Sequence, residues 1–141
     1  MFTYRVLYQG DVIAESECPF CDISMGVLFG PCTVTSAYEA VRTIFQRWLP
    51  PDNNETKQQE EARFAEFYKQ LEELQLEALR SDGHRILPEG GILIEDWSAH
   101  INESNPYHLT LAGCDPDTVH GWLDDHPDAK REWNEGTNGE S

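Results

Sequence analysis

Positive charge is what this sequence has least of: ten lysines and arginines stand against 26 aspartates and glutamates, for a formal charge of −16. The corresponding pI is near 4.4. Direct binding of nucleic acid is therefore not expected, because phosphate contacts require clustered cations. Nor is there a run of about 18 apolar residues, so no membrane-spanning helix is expected. The segment from Met1 to Tyr8 lacks a basic stretch leading into a long apolar run and lacks a small-residue cleavage site, so it does not read as a signal peptide. A cytoplasmic protein is the expectation. There its four cysteines would be thiols or metal ligands, not a disulfide framework. Also missing are the G-x-S-x-G elbow, the phosphate-binding P-loop and the G-x-G-x-x-G turn. No catalytic residue is assigned.

What is present suits one domain over residues 1–133, followed by a polar, Gly-containing tail, 134–141, expected to be disordered. Four Trp, five Tyr and six Phe supply large buried area to a chain of 141 residues. Thr3 to Leu7 and Val12 to Ser16 read as the strands of a hairpin, separated by Tyr8-Gln9-Gly10-Asp11, whose Gly and Asp favour a tight turn, and residues 17–34 as an ordered loop with one short strand. Ser36 and Glu39 have capping-box spacing before the helical repeat Tyr38, Val41, Ile44, Phe45, Trp48, which Pro50 and Pro51 would stop. A second helix is expected from about Thr56 to Arg80, since that stretch has neither Gly nor Pro and is rich in helix formers. Its seam, Phe64, Phe67, Leu71, Leu74 and Ala78, would face the core or a homodimer partner. Strands follow at Ile92 to Trp97 and Tyr107 to Leu111, with a polar turn from Asn102 to Pro106 between them. A short helix opens at Asp115-Pro116. Strands and helices thus cluster separately along the chain. The expected fold is α+β: a small, mostly antiparallel sheet of four or five strands on two consecutive central helices, with a short C-terminal helix.

Cys18-Pro19-Phe20-Cys21, with Cys32 and Cys114, offers thiols for a tetrahedral zinc, though a second C-x-x-C pair is missing. The same four residues, 18–21, resemble the active-site tetrapeptide of glutaredoxins, which implies a thiol redox role with the first cysteine at a helix N-terminus. Gly26 and Gly30 fall where that family carries a continuous helix, and no βα unit precedes the pair. The bland alternative is that the cysteines pack as small hydrophobes in a turn. His84, His100, His108, His120 and His126 show no paired ligand spacing, although His120 and His126 flank Asp124 and Asp125. Glu95 and Asp96, at a strand end, could serve acid–base chemistry, although carboxylates are common at strand edges.

Charge is graded along the chain: −2 over residues 1–50, −5 over 51–82 and −9 over 83–141. This favours a directed acidic surface over evenly spread solubility charge. The leading expectation is a non-enzymatic inhibitor, immunity-type or adaptor protein that engages a basic protein partner. It would use Glu95, Asp96, Asp117, Asp124, Asp125 and Asp128, with Trp97 and Trp122 as aromatic anchors. Acidic immunity proteins are similar in size and charge only. The alternatives are a zinc- or thiol-dependent protein centred on Cys18 and Cys21, and a surface that mimics DNA.

Overall fold

The computed structural model describes residues 1–48, 54–99 and 105–139, with side chains described only to residue 135. In it the chain forms two antiparallel sheets and a set of helices. The first sheet starts from the expected hairpin, β1 (Tyr4–Tyr8) and β2 (Asp11–Ser16), which reverses at Gln9 and Gly10 with φ of 52° and 85°. Two successive positive φ values give a turn whose twist matches that of the strands it joins. β1 buries Tyr4 and Val6; a register shift beside Val6 lets β2 bury both Ile13 and Ala14.

Residues 17–34 hold three strands in place of the one expected: β3 (Phe20–Asp22), β4 (Val27–Pro31) and the two-residue β5 (Thr33–Val34). A 3₁₀ turn (Ser36–Ala40) and the one-turn helix α1 (Arg42–Gln46) replace the single helix expected there. The expected capping box does not form. Thr35 takes the cap position and its hydroxyl donates to the Val12 carbonyl, while the Glu39 carboxylate accepts from Arg42 at 2.7 and 2.9 Å. The 3₁₀ turn packs on β2 and α1 on β8 (Gly91–Asp96), so this short segment joins the two sheets. Tyr38, Val41 and Phe45, all fully buried, fill the space between.

Helix α2 (Lys57–Leu74) begins at Thr56 with a complete capping box to Gln59. It ends earlier than expected. Gln75 adopts a left-handed conformation, φ 51°, and the chain continues as β6 (Glu77–Arg80), pairing with β1 from Leu7↔Glu77 to Tyr4↔Arg80. Burying Ala78 beside Val6 in a sheet outweighs local helix propensity, which is worth only tenths of a kcal/mol per residue. The α2 seam divides accordingly. Phe67 is fully buried against Phe45 and Trp48, Phe64 lies against Trp48 with ring centroids 4.9 Å apart and planes tilted by 36°, and Ala78 belongs to the sheet. Arg63 ties α2 to the end of α1 by donating to the carbonyls of Arg47 and Trp48 at 2.8 and 2.6 Å, groups left unpaired by the helix end.

β7 (Arg85–Ile86) completes the first sheet, in the order β5-β2-β1-β6-β7. The second sheet runs β3-β4-β9-β8, where β9 is Tyr107–Ala112. After it α3 (Pro116–Asp125) opens as expected: Asp115 accepts from the Thr118 amide and Pro116 occupies the first turn. Helix α4 (Pro127–Gly139) then extends into the segment expected to be a tail. The Pro50-Pro51 stop, most of the Asn102 to Pro106 turn, His100 and residues 140–141 lie outside the described residues. No helix among the described residues is long and apolar enough to cross a membrane.

A left-handed C-cap suits glycine far better than glutamine, because a Cβ crowds the carbonyl there. Gln75→Gly is expected to raise unfolding stability by about 0.5–1 kcal/mol, read from the urea midpoint. No change, or a loss, would show that the cap is held by contacts of the Gln75 side chain.

Candidate interaction surface

Period-two alternation sorts the carboxylates of β8. Ile92, Ile94 and Asp96 point inward; Leu93 and Glu95 point outward. Asp96 is 0% exposed, so it is not part of an acidic surface, contrary to the sequence expectation. It accepts hydrogen bonds from the Tyr38 hydroxyl at 2.7 Å, the Ser98 amide at 2.9 Å and Arg42 at 3.2 Å. Arg42 also donates to Tyr107 and Ser98, at 2.9 and 3.0 Å, and to Glu39. Burial, together with the bond to Asp96, holds the Tyr38 hydroxyl well above the usual phenol range, so it stays a donor. The role of Asp96 is to bind the Ser36–Gln46 segment to the second sheet.

The other named residues separate in the same way. Trp122 is 4% exposed, and its indole donates to the Cys18 carbonyl at 2.8 Å while its ring stacks on His126. It anchors the loop before β3 and offers nothing to a partner. Asp125 is largely enclosed: it accepts from the Phe2 amide at 2.8 Å and lies 3.6 Å from the N-terminal amine. Asp117, Asp124 and Asp128 are exposed on α3 and α4, with Lys130 holding Asp124 at 2.6 Å and Arg131 holding Asp128 at 3.2 Å. Glu95 and Trp97 are half-buried neighbours, 3.4 Å apart at the indole nitrogen.

The cysteines share one physical condition. Cys18 and Cys32 are core residues, and Cys21 and Cys114 are half-buried. Burial pushes Cys18, Cys32 and Cys114 up to about 12 and Cys21 up to about 11. Residues 20–22 form a strand, so the C-x-x-C pair does not sit at a helix N-terminus as in the glutaredoxin-like arrangement. Among the described residues, no three His, Cys, Asp or Glu side chains are grouped to hold a metal ion.

A surface that the sequence expectations missed is the outward face of the second sheet. The register aligns Phe20, Phe29, Thr110 and Leu93 in one row across β3, β4, β9 and β8. Phe20 and Phe29 stack at 5.5 Å with 54% and 39% of their surfaces exposed. The adjoining row, Pro31, His108 and Glu95, is more polar. A signal for this surface exists in the chain. Between Arg5 and Arg42, and again between Arg85 and Lys130, there is no lysine or arginine, and all four strands of this sheet come from those two segments. Beside it lies a cleft of about 300 Å³, lined in part by Glu15, Glu17, Pro19 and Pro31.

Comparison with protein-family models, curated proteins and solved structures gives no significant match.

Three measurements check these roles. Asp96→Ala leaves the buried Tyr38 hydroxyl unpaired and removes a counter-ion of Arg42, so urea unfolding should show a loss of about 3 kcal/mol. Asp124→Ala, at an exposed site, should stay within about 0.5 kcal/mol of the parent; equal effects would undo the distinction. The thiols should resist alkylation at pH 8 in the native state and react fully in denaturant, because the thiolate is the nucleophile. Their folded-state pKa values lie above the ordinary thiol value of 9, so the folded state holds more protons between pH 9 and about 12. Stability should therefore be unaffected by these groups below pH 9 and fall as pH rises through that window.

Proposed function

We propose that this is a non-enzymatic protein-binding protein, acting in the cytoplasm as an inhibitor, immunity-type or adaptor protein, whose acidic surface engages a basic partner. The observation that carries the reading is the distribution of charge. Arg5, Arg42, Arg63, Arg80, Lys130 and Arg131 are each committed to a carboxylate within the chain. Exposed carboxylates such as Asp117 remain in a 44-residue stretch, 86–129, without a single cation. Such one-signed fields accelerate encounter with oppositely charged proteins and discourage like-charged ones.

The acidic residues best suited to this role are Asp117, Asp124 and Asp128, with Glu95 and Trp97 at the margin of the open sheet face. Asp96 and Trp122 are excluded from it by burial. Charge reversal at Asp117, Asp124 and Asp128 together should weaken capture of the cellular partner at least tenfold. It should also reduce the salt dependence of binding, as read by titration calorimetry between 50 and 500 mM salt, about one Debye length at 0.1 M being 10 Å. A partner that is acidic, or one bound equally at both salt concentrations, would refute the reading.

A further inference from the structure

We infer that the outward face of the second sheet is the docking surface, and that it takes a basic protein segment presenting an apolar side chain between its cations. This rests on the reading of the chain as an acidic binding protein and identifies where and by what chemistry it binds. The row Phe20, Phe29, Thr110, Leu93 crosses all four strands, with the exposed Phe20–Phe29 pair at one end and Thr110 between it and the half-buried Leu93. Its two phenylalanines face solvent although the inward side of the same strands buries Leu28, Leu109, Leu111 and Ile94 completely. Met25, in the β3–β4 turn, adds another exposed apolar side chain at 67%. Exposed aromatic pairs on a rigid sheet supply contact area at small entropic cost, which makes them suitable binding anchors. Phe20, Phe29 and Met25 bring three exposed apolar side chains together at the β3–β4 end of the sheet.

Charge identifies the occupant. The strands of this sheet contain Asp22 and Glu95 on the outward side and no lysine or arginine. An open antiparallel sheet bearing aromatics is also a platform for single-stranded nucleic acid, but that use requires cations along the phosphate path. None is available here. A second copy of the chain would bring another −16 against the first. A protein segment with lysine or arginine on either side of an apolar residue satisfies both features: the apolar group lies on Phe20 and Phe29, and the cations meet Asp22, Glu95 and Glu17 of the adjoining cleft. Glu17 is exposed there, whereas Glu15 of the same cleft is already paired with Arg5 at 3.1 Å.

The test uses two synthetic dodecapeptides, one alternating lysine with leucine and one alternating glutamate with leucine, titrated into the isotopically labelled full chain. The lysine peptide should shift amide resonances of β3, β4, β8 and β9. Phe20→Ala with Phe29→Ala should weaken its binding at least tenfold, and the glutamate peptide should produce no shifts. Because the mapping uses the parent protein, it does not depend on the variant folding, and Phe20→Ser alone provides a milder check. If the lysine peptide binds α3 and α4 and the phenylalanine variant binds as well as the parent, the docking surface is wrong while the acidic-partner reading stands. No binding of the lysine peptide anywhere overturns both. Equal binding of the two peptides shows that charge does not select the partner, and overturns the inference. So does a dimer in sedimentation velocity that Phe20→Ala and Phe29→Ala dissociate, since the occupant is then a second copy.

Discussion

The buried carboxylate of Asp96 is the constraint on which the architecture turns. A charge at zero exposure is tolerable only with a counter-ion and several donors, and Tyr38, Arg42 and Ser98 supply them. Three of these four residues are brought together from different parts of the fold: the 3₁₀ turn, α1 and the end of β8. Satisfying Asp96 fixes where the Ser36–Gln46 segment lies on the second sheet. That placement in turn sets Phe45 and Trp48 for contact with α2. Hydrophobic burial provides most of the driving force, but it is non-directional, whereas this network has one geometry.

The two sides of the second sheet show how one set of strands can serve packing and recognition at once. Inward residues are aliphatic and closed. Outward residues combine stacked phenylalanines with carboxylates, and the strands themselves carry no lysine or arginine. Net charge is evidence about association and not about fold; its value here comes from where the structure puts the Phe20–Phe29 pair relative to it.

Much of the local structure was legible. The tight turn between Tyr8 and Asp11, the start of α2 at Thr56 and the Asp115-Pro116 cap all follow from side chains that act on their own backbone within a few residues. Alternation along β8 sets Asp96 on the same side as Ile92 and Ile94, but that this side is closed over a carboxylate depends on Tyr38 and Arg42, which lie more than 50 residues away in the chain. By contrast, β6 has the composition of a helix, and its pairing with β1 and β7 makes it a strand. Ser36 and Glu39 have the spacing of a capping box, yet Glu39 has a stronger partner in Arg42. The Phe20–Phe29 pair depends on the register of two strands whose connecting segment reads from sequence as an irregular loop.

By itself, then, the sequence determined the α+β class, the turn and cap chemistry, the excess of negative charge and its concentration toward the C-terminus, because these depend on residues near one another in the chain or on composition alone. Tertiary structure decided that there are two sheets, that Asp96 and Trp122 are internal, that α2 stops at Leu74, and that two phenylalanines stack on an open face. Each of these depends on pairing between residues distant in sequence, where the energy of burying a side chain or satisfying a charge exceeds the local preference that opposes it.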